Sequence, residues 1–168
     1  MFKFKGLTQR AQRVLTLLAP GEAKRYNSDL IEPEHIVLAL LKDGEGVAVK
    51  ALKKIKINIA DMVFDIEKNM PKKGISRNRT GDLLPSKRLR HVLEDSSEEA
   101  HNLGHEYIGT EHLLLAAAKE TVSLTYKYLN AQSVAINELR EAIYQINGPG
   151  SMRPYGGSYK KKQQTTGK

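Results

Sequence analysis

Two stretches of this chain repeat one pattern of polar and apolar positions. Ile31-Glu32-Pro33-Glu34-His35 runs into Ile36-Val37-Leu38-Ala39-Leu40-Leu41-Lys42, and Ile108-Gly109-Thr110-Glu111-His112 runs into Leu113-Leu114-Leu115-Ala116-Ala117-Ala118-Lys119. In each, a helix-start signal and a Glu-His pair precede six apolar residues closed by a lysine. A helix so patterned has almost no polar face and is expected to be buried. Six apolar residues are far too few to cross a bilayer, so two such helices predict a duplicated core rather than a membrane anchor.

Subtraction tests the duplication. His112 lies 77 positions after His35, and the same offset pairs Leu115 with Leu38, Leu129 with Leu52 and Ile143 with Ile66. Upstream the offset becomes 78, matching Arg88, Val92 and Leu93 to Arg10, Val14 and Leu15. One extra residue therefore sits in the first half, and Pro20-Gly21 is the expected place for it. The matched apolar positions recur at helical spacing and no alternating strand pattern is found, so the fold class is all-α, two four-helix repeats related by a pseudo-two-fold with His35 over His112.

In chain order, Thr8 is the expected N-cap of a helix whose apolar face is Ala11, Val14, Leu15 and Leu18. Pro20-Gly21 is expected to interrupt it, with a short helical piece from Glu22 to Tyr26 beyond. Pro33 suits the first turn of the core helix. Asp43 to Gly46 reads as a turn, Val47 to Lys54 and Ile59 to Asn69 as helices, and Pro71 as a stop. Ser86 opens an unbroken helix to Gly104, followed by the Thr110 helix, Thr121 to Asn130 and Ala135 to Ile146. The expected division is a first repeat over 1–70, a basic linker over 71–84, a second repeat over 85–147 and a basic tail over 148–168. Linker and tail have no apolar periodicity to bury and are expected to be mobile.

Charge changes this picture less than its size suggests. The net charge is +8 over 168 residues, but nine of the 27 basic residues fall in Pro71–Arg79 and Gly148–Lys168, which hold no acid. The remaining 18 face 19 acids, so the body is near neutral and a nucleic-acid-binding face is not expected. The absence of cysteine excludes a disulfide framework and a catalytic thiol. Met1 to Gly6 lacks the apolar core of a secretory signal, and a cytoplasmic location is expected.

No phosphate loop or dinucleotide fingerprint occurs, and His105-Glu106 ends in Gly109 where a zinc-protease motif needs its second histidine. His101 and His105 have the i, i+4 spacing of a metal pair, but polar residues favoured at a helix C-terminus explain them better, and no metal or cofactor is expected. The repeated Glu34-His35 and Glu111-His112 pairs are the best candidates for a site. The histidines read as core residues beside an apolar run. The glutamates read equally well as helix-dipole partners, which the macrodipole favours by ~0.3 to 1 kcal/mol, and as exposed carboxylates beside free helix N–H groups, offering both handles to a ligand that carries a cation and an anion.

Tandem Thr-Glu-His-Leu-Leu-Leu-type helices, with Leu-Gly-His before and Asp-Gly-Glu-Gly-Val-Ala after, resemble the double Clp-N repeat at the N-terminus of ClpC-type AAA+ unfoldases, from about Leu7 to Asn147. The resemblance implies a non-catalytic, monomeric domain that binds adaptors and protein substrates and passes them to the ATPase ring of a longer protein, with the tail as tether. It also implies that the motif glutamate contacts phosphorylated arginine, which places Glu111 with Thr110 in the second half and Glu34 in the first, with the helix-capping Thr8 and Ser86 as secondary candidates. Pro33 stands where the motif has threonine and removes a hydroxyl and an N–H, so the first site is expected to be the poorer. A stand-alone Clp-N protein that competes for adaptors is the alternative, and a nucleic-acid-binding module a distant third.

Overall fold

A computed structural model describes residues 6–71 and 83–147. The expected mobile linker, except at its two ends, and the expected tail lie outside the described residues. The chain forms α1 (Gln9–Arg13), a π-helical turn (Val14–Leu18), α2 (Ala19–Arg25), β1 (Leu30–Ile31), α3 (Pro33–Asp43), α4 (Val47–Lys54), α5 (Ile59–Asn69), β2 (Leu84–Pro85), α6 (Lys87–Asn102), α7 (Thr110–Lys119), α8 (Leu124–Ala131) and α9 (Ile136–Asn147). The first three pieces follow one another without a break, so each repeat has four helical segments.

Pro20 does not interrupt the opening helix. Three pieces of 5, 5 and 7 residues exceed the 16-residue α6 by one, and the excess lies in the π-turn, where the Ala19 N–H reaches back five residues to the Val14 carbonyl. Widening the helix by one residue just ahead of Pro20 lets the chain continue past a residue with no N–H to donate. Upstream of this turn the offset between repeats is 78, and downstream it is 77, pairing Ala19, Glu22 and Ala23 with Ser96, Glu99 and Ala100.

The repeats do not stand apart. β1 pairs in parallel with β2, Leu30 to Leu84 and Ile31 to Pro85, while Leu7 bridges Ile108 in the pseudo-equivalent place. Each repeat thus lends its first residues to the segment that precedes the other repeat's core helix. The N–H groups of Thr8 and Ser86 seal the exchange on the carbonyls of Ile108 and Ile31, both at 2.9 Å. These short strands were not foreseen, because two residues carry no readable alternation. They also correct the expected linker, since Leu83 is buried and Leu84 is paired.

α3 and α7, the two apolar helices, pack against each other, and α4 packs on both α7 and α9. Their apolar runs are buried throughout, in one cluster that continues through Leu15, Leu52, Met62, Leu89 and Leu139. α8 begins at Leu124 behind its cap Ser123, three residues later than expected, leaving Thr121 and Val122 in an exposed turn.

Candidate functional site

Both glutamates occupy the second position of a buried helix, and both are themselves buried, at 5% exposure for Glu34 and 2% for Glu111. The expectation of exposed carboxylates is therefore corrected. The helices dive into the core from their first turn, and the residues beside the start go with them.

Glu34 is taken by the second repeat. Its Oε2 accepts from Nη2 of Arg88 at 3.0 Å and from the N–H of Leu124, the first residue of α8, at 3.1 Å. Arg88 also gives two hydrogen bonds to Glu120, at 2.8 and 2.9 Å, which together with Glu34 outweigh the opposing effect of burial and push its pKa above the ordinary arginine value. A cavity of about 240 Å³ opens beside this cluster, lined from the first repeat by Tyr26, Glu32, Glu34 and Met70 and from the second by Arg88, Val122 and Leu124 among others.

Among the described residues, Glu111 has no arginine partner. Its Oε2 receives the Asn147 side-chain amide at 3.4 Å, and the carboxylate lies folded against Gly109, where an added Cβ would collide with Oε1. Burial raises its pKa against the opposing pull of its own N–H and of Asn147. Thr110, 3% exposed, does not cap its own helix, whose N-cap is Gly109. Its hydroxyl accepts at 3.3 Å from the N–H of Ala48 in the first turn of α4. The N-cap of α4 is Gly46, which has no side chain, so the other repeat supplies the cap. A side chain at 46 would stand 2.8 Å from Cδ of Arg10 and 3.0 Å from the Thr110 hydroxyl, and the backbone there has φ +98°. Glycine is required on both counts.

The histidines are structural, as expected. At the third position of each core helix, Nδ1 accepts the N-cap N–H, His35 from Glu32 at 2.8 Å and His112 from Gly109 at 2.9 Å. This is the part that Glu or Gln plays in a capping box. The bond fixes the tautomer of His112, because a neutral ring accepting at Nδ1 carries its proton on Nε2. That proton is donated to Nδ1 of His105 at 2.8 Å, which leaves the His105 proton on Nε2, a buried atom without a hydrogen-bond partner among the described residues. His105, Glu111 and His112 bring possible ligand atoms within 4.8 Å of one another. With Nδ1 of His112 accepting the capping bond, its Nε2 carries the proton, so this ring would have to give up that bond to ligate an ion through Nε2. His101 is not in this group.

Thr8 and Ser86 accept from the N–H of Ala11 at 3.1 Å and of Leu89 at 3.0 Å, so both candidate hydroxyls serve as N-caps. Sequence reasoning passed over a duplicated ion pair. Glu22 meets Lys42 at 3.1 Å, and 77 positions on Glu99 meets Lys119 at 2.9 Å. Burial would raise the Glu99 pKa, but hydrogen bonds from Arg140 and Lys119 outweigh it and hold it below the usual range. The signal was present: both pairs match charge for charge at the repeat offset.

Comparison with known proteins decides the family. The model of the Clp repeat (R) N-terminal domain matches residues 6–143. The chain belongs to the Clp N-terminal repeat family. Over 145 residues this Clp-N domain is 36% identical to the chaperone protein ClpB of Oceanobacillus iheyensis and 37% identical to the negative regulator of genetic competence ClpC/MecB of Bacillus subtilis. Each match covers 86% of the chain but only 17% of the relative, so the chain spans about a sixth of those proteins' length. The fold is that of the Hsp104 N-terminal domain of Candida albicans, at TM-score 0.73 and 14% identity over 90% of this chain and 97% of that one. A ClpV N-domain solved in complex with a VipB peptide matches at TM-score 0.60 and 14% identity, over 87% and 96%. Relatives under both ClpB and ClpC names make the family broader than the ClpC type alone. No helix of the described residues is long and apolar enough to cross a membrane.

Proposed function

We propose that this Clp-N domain is a non-catalytic docking module that captures adaptors and protein substrates for the AAA+ ring of a longer Clp chaperone or protease, and that its second repeat recognises phosphorylated arginine. Sequence relatives named as Clp chaperones and regulators support the first part, as does the peptide bound to the ClpV N-domain. The observation that carries the second is the contrast between the two glutamates: Glu34 already holds a guanidinium, that of Arg88, whereas Glu111 has, among the described residues, only a long amide contact. A ligand guanidinium replaces that contact once the carboxylate turns away from Gly109, and it restores at Glu111 the pairing that Glu34 has from within the chain. The phosphate is met by the α7 N-terminus and by Thr110, whose hydroxyl shares its bond to Ala48. Glu34 contributes less, because Pro33 offers neither hydroxyl nor N–H.

Titration of free phosphoarginine followed by amide chemical shifts tests this reading. Shifts are expected at residues 109–113, and Glu111→Ala is expected to weaken binding tenfold or more, in line with the ~1.5 to 3 kcal/mol of a charge-assisted hydrogen bond. Glu34→Ala should weaken it by less. Equal affinity in the Glu111→Ala protein would reduce the residue to a partner of the helix dipole.

A further inference from the structure

The cavity beside Glu34 differs from its counterpart in the other repeat. Glu32 corresponds at the 77-residue offset to Gly109, Tyr26 to Leu103 and Ser28 to His105, so the second repeat has one acid where the first has two. Among the described residues the pair is short of positive charge: Glu32, Glu34 and Glu120 share a single guanidinium, and Arg88 spends its two best hydrogen bonds on Glu120. Oε1 of Glu32 is buried without a hydrogen-bond partner among the described residues, at 3.7 Å from Arg88. At about 240 Å³ the space falls below the ~300 Å³ at which small-molecule pockets begin, and it is sized for one long side chain. Its walls are mixed: Met70 is buried, Tyr26 and Leu124 are half-buried, and Val122 stands on the rim 64% exposed.

We propose that this cavity receives an unmodified basic side chain, arginine or lysine, from the polypeptide docked on the domain. The cation sits on Glu32 and the remaining acceptor capacity of Glu34, and the aliphatic stem lies along Tyr26, Met70 and Val122. Long basic residues are built for such a place, with a methylene stem that packs on apolar surface and a charged head that seeks a carboxylate. The proposal rests on the docking reading above but not on phosphoarginine. Pro33 gives the site no hydroxyl, and the first N–H of α8 is already spent on Glu34.

The test uses three acetylated and amidated pentapeptides, Ala-Leu-X-Leu-Ala, where X is arginine, its neutral isostere citrulline, or phosphoarginine. Their titration is followed by the amide shifts of the full chain. The arginine peptide is expected to shift the amides of Tyr26, Glu34, Met70 and Leu124 in a saturable way, and the citrulline peptide to bind at least tenfold more weakly. Glu32→Gln should bring the arginine peptide down to the citrulline level. Val122→Lys, an exposed change that leaves the core alone, should also weaken it by placing a like charge at the rim. Equal binding of arginine and citrulline peptides, or arginine affinity unchanged in both variants, overturns the proposal. So does tighter binding of the phosphoarginine peptide at these same amides, which would make the cavity a second phosphate reader. Shifts from the phosphoarginine peptide confined to residues 109–113, with none from the arginine peptide at Glu34, would sink this inference and leave the proposed function standing.

Discussion

His112 is fully buried and gives and accepts one hydrogen bond along an unbroken line from the Gly109 N–H to His105. A further proton on either ring breaks that line. Burial lowers the pKa of His105, and burial with the neighbouring His105 holds that of His112 at about 3. The unfolded chain takes up protons near pH 6.5 that the folded chain refuses, so the stability these rings contribute is complete above about 6.5 and is lost as pH falls from there. Each ring held neutral costs about 1.4 kcal/mol per pH unit in that range. Glu111 works in the opposite sense: its raised pKa makes its contribution complete in acid and lost as pH rises through the folded value. Unfolding by urea at pH 7.0 and 5.5 is expected to show a loss of about 1 to 3 kcal/mol at the lower pH. His112→Gln keeps a capping side chain at the third helical position and should lose less than half as much. An unchanged pH slope in that variant would remove the histidine pair as the cause.

Among the helices, the opening one holds the two features least expected of a helix, a π-turn and a Pro-Gly pair. Gly21 lies inside α2, and an added Cβ would meet nothing within 4 Å. The glycine therefore costs helix stability with no return in packing or turn geometry, and Gly21→Ala is expected to stabilise the domain by roughly 0.5 to 1 kcal/mol in chemical denaturation. Destabilisation by that change would mean that the π-turn and the proline strain the backbone beyond Leu18. Gly46 is the contrasting case. Its positive φ and its approach to Arg10 and Thr110 leave no room for a side chain, although Ser123, at the same place in the second repeat, has φ −76° and caps α8 through its own hydroxyl. One repeat caps the helix from within, and the other borrows its cap from across the interface.

For the whole molecule, the borrowing is general. Leu7 and β2 each pair with the other repeat, Thr110 caps α4, Leu124 and Arg88 hold Glu34, and α4 lies between α7 and α9. A single repeat taken alone exposes the apolar faces of its core helix and loses the partner of its first strand. Residues 83–147 expressed alone are therefore expected to show no cooperative thermal transition as a monomer, by calorimetry and light scattering. A monomeric fragment with a sharp transition would mean that each repeat owns its core. The two candidate sites are interface sites for the same reason. Each joins the start of one repeat's core helix to the N-terminal end of a helix from the other, and a ligand bound there touches both.

What the sequence determined is local or repeated. The helices follow from apolar periodicity and from caps such as Thr8, Asn58 and Ser86, which act within three residues, and the duplication follows from an offset that needs no coordinates. The burial of α3 and α7 and the structural part of the histidines were legible because a helix without a polar face has nowhere else to go. Tertiary structure decided everything that depends on partners far along the chain. The Thr110 hydroxyl meets Ala48 across 62 residues, Arg88 reaches Glu34 across 54, and Leu124 reaches it across 90. From sequence the two glutamates look alike. Among the described residues one is paired by a guanidinium and the other is not, because the electrostatics of a carboxylate are set by what packs against it, and packing joins residues that no local pattern connects.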